Sequence, residues 1–335
     1  MEKSVEVLKT EEIMVHFLKT FSLNDEYKLL GDFENFVYEV YKDEEPYILR
    51  ITHSSHRELE DLYAEIEWVN YLSGHGIQVS TAIQSIQGKY VEFCTAQDQS
   101  MFYASLFSKA SGEPVNIREV SIRADLFSAW GQTIGQMHKA TRKYVPSPLI
   151  KKRPQWDEDE LLNIEKYFSE EDIVEKENAK ELIAQIQGLP KNIENFGLIH
   201  SDIHSGNFFF DERGIHVFDF DDCCYHWFVS DIAIPLYYSC LSRFSADQTL
   251  EREEFGRSFM QAFLDGYRSV CDLPQNWEQQ LPLFLMLRDI TLYSVLNKKI
   301  DPADLTEWEK GMLKEIRLRI NQKKSIVNLN SVPHL

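Results

Sequence analysis

The 335-residue chain has few of the features that suit an anionic partner or a membrane. Lys and Arg total 35 against 54 Asp and Glu, which gives a formal net charge of −19. A surface of this sign repels nucleic acid and anionic lipid, so we expect neither as a partner. The sequence has no run of about 18 apolar residues, and its charged amino terminus lacks the apolar core of a signal peptide. We therefore expect neither a membrane span nor export.

Cysteine is also scarce. The five cysteines show neither metal-ligand spacing nor a disulfide framework. An odd number of thiols in a long chain indicates reduced cysteines and a cytoplasmic protein. What the chain does have is a hydrophobic content of 43%, and its length suits two lobes rather than one small core.

The hydrophobic period changes along the chain. Helical spacing is present in residues 10–21 and 55–73, and strands are predicted at residues 27–30, 35–41, 46–52, 89–95 and 101–108. Helices then dominate, at residues 117–143, 156–187, 228–241, 246–270, 276–297 and 303–325, interrupted only by a hairpin at residues 208–210 and 215–218. These periods predict an α+β fold. Residues 1–108 form a small β-rich lobe with one key helix, and residues 109–335 form a larger, mainly helical lobe.

Two stretches, Leu198–Asn207 and Val217–Asp222, carry residues suited to phosphoryl transfer. That reaction needs a group that accepts the proton of the attacking hydroxyl, oxygen ligands for Mg²⁺ and a cation on the phosphates. Asp202 is predicted to accept the proton. Asn207 and Asp219 are predicted to bind the metal, because Mg²⁺ prefers a few oxygen ligands together with phosphates and water. Each residue alone could be a turn former, but the three at this spacing favour catalysis.

The motif has the form H-x-D-x-x-x-x-N, from His200 to Asn207, followed by Asp219-Phe-Asp221. It resembles the aminoglycoside phosphotransferase and choline kinase superfamily, and protein kinases less closely, since these have H-R-D-L and D-F-G. The resemblance extends over most of the chain and implies a bilobal protein-kinase-like fold. It also implies ATP and Mg²⁺ as cofactors. The expected reaction moves the γ-phosphoryl group to a small-molecule hydroxyl, on an amino alcohol, sugar, amino acid or aminoglycoside, with Asp202 as base.

The phosphate-binding position of the kinase strand is occupied by Arg50, within Pro46–Ile51. An arginine can hold two phosphate oxygens with its planar guanidinium, although a half-exposed strand arginine is the alternative. Its ion-pair partner should lie on the inward face of the next helix. Glu65 and Glu58 both fall on that face, and the resemblance favours Glu65.

The resemblance assigns further roles. Leu106–Gly112 is similar to the linker between lobes, where the Ser108 carbonyl and the Ala110 amide would bind the adenine ring. Asp231 matches a buried aspartate that holds the catalytic loop through backbone amides. His200 is expected to make hydrogen bonds within that loop rather than to carry a proton.

Other functions stay open at this point. Arg50 and the segment Leu106–Gly112 resemble a stress-response branch of the superfamily, which would imply a protein Ser/Thr kinase, and the type II homoserine kinase branch is another neighbour. A catalytically silent nucleotide-binding structural protein is disfavoured, because Asp202, Asn207 and Asp219 are all intact. Neither the acceptor nor the oligomeric state can be inferred from the sequence.

Overall fold

A computed structural model describes residues 3–119, 123–299 and 305–329. The chain forms two compact units. The first comprises Met1–Gly112, Tyr144–Arg153 and His216–Asp221, and the second comprises Glu113–Lys143, Pro154–Ile215 and Asp222–Leu335. The lobe boundary between residues 108 and 109 stays a prediction.

The first unit is rich in strands, as predicted. Its elements in chain order are α1 (Lys3–Leu8), α2 (Glu11–Thr20), β1 (Tyr27–Gly31), β2 (Phe36–Lys42), β3 (Glu45–His53), α3 (Leu59–Gly74), β4 (Ala82–Ile83), β5 (Glu92–Thr95) and β6 (Met101–Ser108). The strands form one sheet in the order β1-β2-β3-β6-β4, and β5 also pairs with β6. The pairs β1–β2, β2–β3, β3–β6, β4–β6 and β5–β6 are all antiparallel.

Local sequence explains the central hairpin of this sheet. Asp43 and Glu44 have φ values of 50° and 67° between β2 and β3, the double positive φ that a tight hairpin turn requires. Along β2, Phe36, Tyr38 and Val40 are buried in alternation, so one face of the strand packs on the core. The hairpin pairs β3 with β2, and β6 pairs with the other edge of β3.

Helix α3 begins and ends with recognisable caps. The side chain of Glu58 and that of Asp61 form a reciprocal capping box at its start. Just beyond its end Gly76 has φ 79°, a conformation that favours glycine, and the amide of Ile77 donates to the carbonyl of Leu72 at 3.2 Å. These caps set the length of the helix that carries Glu65.

The second unit is mainly helical. Its elements are β7 (Glu113–Pro114), α4 (Ala124–Thr141), α5 (Ile164–Tyr167), α6 (Ile173–Gln187), β8 (Phe196–Ile199), β9 (Phe208–Asp211), β11 (Cys224–Trp227), α7 (Phe228–Arg243), α8 (Thr249–Arg268), α9 (Trp277–Lys299) and α10 (Glu307–Gln322). Strand β10 (Gly214–Val217) includes residues of both units, and a short sheet has the order β10-β9-β7. Among the described residues, every helix is too short or too polar to span a membrane.

Helices α4 and α8 pack at unusually close range through two glycines. A Cβ atom at Gly131 would lie 1.9 Å from the carbonyl oxygen of Phe263. One at Gly266 would lie 1.8 Å from the carbonyl oxygen of Ser128. Only glycine allows backbones to approach this closely, so both positions are required by the packing.

The prediction of one helix over residues 156–187 is wrong. Two 3-10 turns and the one-turn helix α5 precede α6. The Asp159 carboxylate accepts a hydrogen bond from the amide of Leu161 at 2.9 Å, and the Asn163 side chain accepts one from the amide of Lys166 at 3.3 Å. Short polar side chains of this kind compete with the helical backbone bonds, and here they divide the segment.

The prediction that one hairpin alone interrupts the helices is also wrong. Strands β8 and β11 pair antiparallel, with Ile199 opposite Cys224 and Phe196 opposite Trp227. Strands of four residues are too short to show a period of two. The helix predicted from residue 117 begins at Ala124. Residues 120–122 and 303–304 of the predicted helices lie outside the described residues.

Candidate active site

The predicted site residues are divided between the two units. The first unit contains Arg50, Glu65, Ser108, Ala110 and Asp219, and the second contains His200, Asp202, Asn207 and Asp231.

In the first unit, Arg50 and Glu65 form a buried two-point ion pair. Arg50 Nη1 donates to Glu65 Oε1 at 2.8 Å and Nη2 donates to Oε2 at 2.5 Å. The residues are 5% and 1% exposed. Glu58, the competing partner, instead accepts a hydrogen bond from Lys151 Nζ at 2.9 Å. Such a paired geometry fixes the plane of the guanidinium as well as its position.

Further carboxylates keep Arg50 charged. Burial alone would lower its pKa, but the carboxylates of Glu65 and Asp221, with a smaller contribution from Asp219, raise it above its ordinary value. The guanidinium carbon also lies 5.0 Å from the ring centre of Phe107. Arg50 is therefore a permanent, rigidly held cation.

Asp221 is buried among two arginines and a histidine, a set of contacts that the sequence did not predict. Its Oδ2 lies 2.7 Å from His56 Nε2 and 3.3 Å from Arg57 Nη2, and its Oδ1 lies 4.0 Å from Arg50 Nη1. Burial raises its pKa, but Arg57, His56 and Arg50 hold it well below the usual range. The ligand atoms of Glu34, His56 and Asp221 lie within 4.8 Å of one another. Arg50 and Arg57 already supply positive charge beside the Asp221 carboxylate.

Asp219 follows strand β10 in a left-handed conformation. Its φ is 63° and its side chain is exposed. Aspartate tolerates this region better than most residues, and such conformations concentrate at functional sites. An exposed carboxylate at a strand end is a hard oxygen donor of the kind that Mg²⁺ prefers.

The segment predicted to bind adenine begins where β6 ends. The Ser108 amide donates to the carbonyl of Thr81 at 2.9 Å, and the Ser108 hydroxyl accepts from the Thr81 amide at 3.0 Å. Ala110, two residues farther on, is buried. These contacts hold the backbone in place, and the adenine contacts stay a prediction.

In the second unit, Asp231 anchors the loop that follows β8. It lies in α7, is fully buried, and accepts hydrogen bonds from the backbone amides of His200 at 3.0 Å and Ser201 at 2.8 Å. Ser201 has φ 68°, so the chain turns sharply just before Asp202. Two charge-assisted bonds to consecutive amides give this turn one defined shape.

His200 and His138 are both fully buried close to this anchor. The amide of Asp202 donates to His200 Nδ1 at 3.3 Å, which places His200 within the loop's hydrogen bonds. His138 Nε2 lies 3.4 Å from Asp231 Oδ2. Burial lowers the pKa of His138 although Asp231 opposes the effect, so the neutral form of His138 is favoured.

Asn207 is oriented by Asp202. Its Nδ2 donates to the backbone carbonyl of Asp202 at 2.9 Å and lies 3.3 Å from the Asp202 Oδ2 carboxylate oxygen. Only the amide NH₂ can serve these acceptors, so the side-chain oxygen of Asn207 is the atom left as a metal ligand. An amide oxygen of this kind is a hard donor that suits a divalent cation.

Arg288, which the sequence interpretation did not identify, contacts Asp202 directly. Its Nη2 donates to Asp202 Oδ1 and, at 2.7 Å, to the Tyr238 hydroxyl, which also accepts from Nε at 3.0 Å. One signal was available. Arg288 and Asp289 are the only charged residues in the largely apolar stretch 281–296, and a buried charge there must have a partner.

These contacts set the ionisation of Asp202. Burial would raise its pKa, but the Arg288 guanidinium, with His204 and His200, lowers it overall. The Asp202 side chain keeps 21% of its surface exposed. An ionised, partly accessible carboxylate on an anchored loop can orient a hydroxyl group and take up its proton.

Comparison with known proteins agrees with this chemistry. The model of the phosphotransferase enzyme family matches residues 27–278. Amicoumacin kinase from Bacillus subtilis (strain 168) is 37% identical over 293 residues, which are 88% of this chain and 86% of that protein.

Solved structures include two informative matches. Amicoumacin kinase hAmiN, in complex with AMP-PNP, Ca²⁺ and Ami, matches with a TM-score of 0.91 and 33% identity over 99% of this chain and 100% of that chain. A microcompartment-associated aminopropanol kinase has a TM-score of 0.74 at 20% identity, over 94% and 98% of the two chains. The predicted kinase-like fold is confirmed, and the expected ATP and divalent cation agree with the nucleotide and ion in the first structure. The chain belongs to the phosphotransferase enzyme family.

Proposed function

We propose that this protein transfers the γ-phosphoryl group of ATP, in the presence of Mg²⁺, to a hydroxyl group of a small molecule, with Asp202 as the base. The observation that carries the proposal is the state of Asp202. It is ionised and partly accessible, and its loop is anchored by Asp231. Family membership supports the reaction type, and the role of each residue is the proposal.

The proposed reaction is a direct displacement. The acceptor O–H bond breaks and its proton passes to Asp202, while a new O–P bond forms and the bond between the β- and γ-phosphates breaks to release ADP. Catalysis by such sites comes mainly from positioning and charge, because phosphoryl transfer needs little covalent help. Asp231 serves this chemistry indirectly, since it fixes the turn on which Asp202 stands.

Asn207 and Asp219 would hold the cation. When bound, it neutralises charge on the phosphates. Arg50 is suited to the phosphate oxygens. Its two contacts with Glu65 use two of the five N–H groups of a guanidinium, so three remain for other acceptors. Glu65 therefore orients Arg50 without consuming its capacity to donate.

Amicoumacin is the first acceptor to test. The relative named for that substrate is 37% identical to this chain over most of both proteins. An aminopropanol, the substrate class in the name of a more distant structural match, is the second. Both names point to small molecules rather than to protein side chains.

The test is transfer from ATP and Mg²⁺ to amicoumacin, with the product identified by mass spectrometry. Asp202→Asn keeps the shape of the side chain and removes the base, so kcat should fall by about 10³-fold, within the range for positioned proton acceptors. Binding of ATP, measured by calorimetry, should be nearly unchanged. Asp265→Asn, an exposed residue of α8, is the matched control and should retain full activity.

Full activity of Asp202→Asn would contradict the proposed role of Asp202. The same assay with radiolabelled ATP separates the other functions. Label on protein and none on small molecules would favour a protein kinase. Nucleotide binding without turnover on a wide panel of alcohols would favour a silent binding protein.

A further inference from the structure

The second unit holds one feature that the proposed reaction does not require, an arginine directly on the base. Arg288 reaches Asp202 from α9, and its guanidinium contacts Oδ1 alone of the two carboxylate oxygens. Among the described residues, the contacts of Oδ2 are longer, at 3.3 Å to Asn207 Nδ2 and 3.4 Å to His204 Nε2. The two carboxylate oxygens of Asp202 therefore differ in their partners, since Oδ1 contacts Arg288 and Oδ2 contacts Asn207 and His204.

The arginine is itself held firmly. Tyr238 on α7 accepts hydrogen bonds from both Nε and Nη2 of Arg288, and its ring centre lies 4.9 Å from the guanidinium carbon. The Tyr238 ring in turn contacts the rings of Tyr237 at 5.3 Å and His204 at 5.2 Å. Arg288 thus connects α9, α7 and the catalytic loop, and its position is set by packing rather than by Asp202 alone.

We infer that Arg288 is a positioning residue for Asp202, which holds Oδ1 and leaves Oδ2 to receive the proton of the acceptor hydroxyl. The inference rests on the proposed function. A carboxylate with two equivalent oxygens can rotate about its last bond, and a charge-assisted bond to one oxygen stops that rotation. A small misplacement of a reacting group can reduce a rate by about 10²-fold.

Arginine is better suited to this task than lysine. Its planar guanidinium contacts Tyr238 through two nitrogens and Asp202 through one, so the direction of the bond to Oδ1 is determined by the plane. An ammonium group on a flexible stem supplies the charge without the plane. The inference therefore predicts that charge alone restores only part of the function.

The experiment compares Arg288→Ala, Arg288→Lys and Tyr238→Phe in amicoumacin phosphorylation with ATP and Mg²⁺. We expect kcat of Arg288→Ala to fall by roughly 10- to 100-fold while KM for ATP changes less than about 2-fold, because only the acceptor side is disturbed. Arg288→Lys should recover part of the loss. Tyr238→Phe keeps the arginine but removes the hydroxyl that anchors it, so its kcat should fall by about 3-fold.

Added guanidinium separates positioning from a merely structural role. At about 50 mM, far below denaturing concentration, guanidinium chloride should raise kcat of Arg288→Ala several-fold, and sodium chloride at equal concentration should not. The matched control is Lys298→Ala, which removes another cation of α9, paired with Glu160 at 2.9 Å. Its kcat should stay unchanged and show no response to guanidinium.

Several outcomes would overturn the inference. An unchanged kcat in Arg288→Ala means that Arg288 positions nothing, and an increased kcat means that it blocks the base. Lost activity without guanidinium rescue, together with a lowered melting temperature, means that Arg288 only supports the fold. If Arg288→Ala does not fold, equal kcat values for Arg288→Lys, Tyr238→Phe and wild type overturn the inference. An active Asp202→Asn variant would instead refute the proposed function itself.

Discussion

Each unit contains an arginine–carboxylate pair among its candidate functional residues, but the two pairs differ in burial. Arg50 and Glu65 in the first unit have side chains that are 6% and 1% exposed, whereas Arg288 and Asp202 in the second are 20% and 21% exposed. The first pair joins a central strand to a helix and has both carboxylate oxygens engaged. In the second pair, Arg288 engages only one oxygen.

The difference in burial separates architecture from chemistry. Removal of one partner from a buried pair leaves an uncompensated charge in the core, and this costs about 3–5 kcal/mol. Water and an acceptor hydroxyl can compensate a partly exposed carboxylate. We therefore expect the Arg50–Glu65 pair to stabilise the fold. The Arg288–Asp202 pair is expected to leave the carboxylate accessible to an acceptor hydroxyl.

The largest loss of stability is expected for Glu65→Ala. We expect it to lower the free energy of unfolding by about 3–5 kcal/mol, because Arg50 would stay buried beside Asp221 and Phe107 without its main partner. Denaturant titration followed by circular dichroism measures the change. Glu60→Ala is the matched control, since Glu60 is an exposed glutamate of the same helix and should cost less than about 0.5 kcal/mol.

A loss below about 1 kcal/mol in Glu65→Ala would mean that the buried pair contributes little to stability. The first unit would then tolerate an unpaired Arg50, and burial would no longer distinguish the two pairs.

The sequence was more informative about the first pair than about the second. Arg50 and Glu65 lie on adjacent elements whose periods are regular, β3 and α3, so the inward faces could be assigned from spacing alone. Spacing places both Glu65 and Glu58 on the inward face of α3, and the choice of Glu65 depended on the family resemblance. The capped start of α3 places Glu58 at the helix end, where it meets Lys151.

Asp202 and Arg288 are 86 positions apart, and their contact depends on tertiary packing. Helix α9 is apolar around most of its circumference, so no hydrophobic face shows which way Arg288 points. A different limit, local this time, applies to the division of residues 156–187. There the side-chain hydrogen bonds of Asp159 and Asn163 to nearby amides override helical propensity. Local pattern predicts regular elements well and exceptions to them poorly.

His226, in strand β11 of the second unit, makes the stability of the fold sensitive to acid. This histidine is 4% exposed, stacks on Trp156 with ring centres 5.0 Å apart, and its pKa is lowered to about 3 by burial, with contributions from the charges of Lys191 and Arg288. Its pKa is lower in the folded than in the unfolded state, so the unfolded chain binds the proton first as pH falls. Stability is therefore lost progressively below pH about 6.5 until pH about 3.

We expect the His226 effect to amount to about 2–3 kcal/mol between pH 7.5 and pH 4.5. Urea titrations at several pH values measure it, and His226→Phe, which keeps an aromatic ring against Trp156, should reduce the slope in this range. Equal slopes in the two proteins would show that other groups cause the acid sensitivity.

The smallest expected change is in the stability of Arg288→Met, and it bears most directly on the contrast between the pairs. Methionine keeps an unbranched side chain beside the Tyr238 ring, while Asp202 retains its contacts with Asn207 and His204 and its access to water. The free energy of unfolding should therefore fall by no more than about 1 kcal/mol, as is usual for solvent-accessible pairs. Denaturant titration beside Glu65→Ala gives the comparison under identical conditions. A loss near that of Glu65→Ala would show that Arg288 stabilises the fold as Arg50 does, and the difference in burial would then not separate the roles of the two pairs.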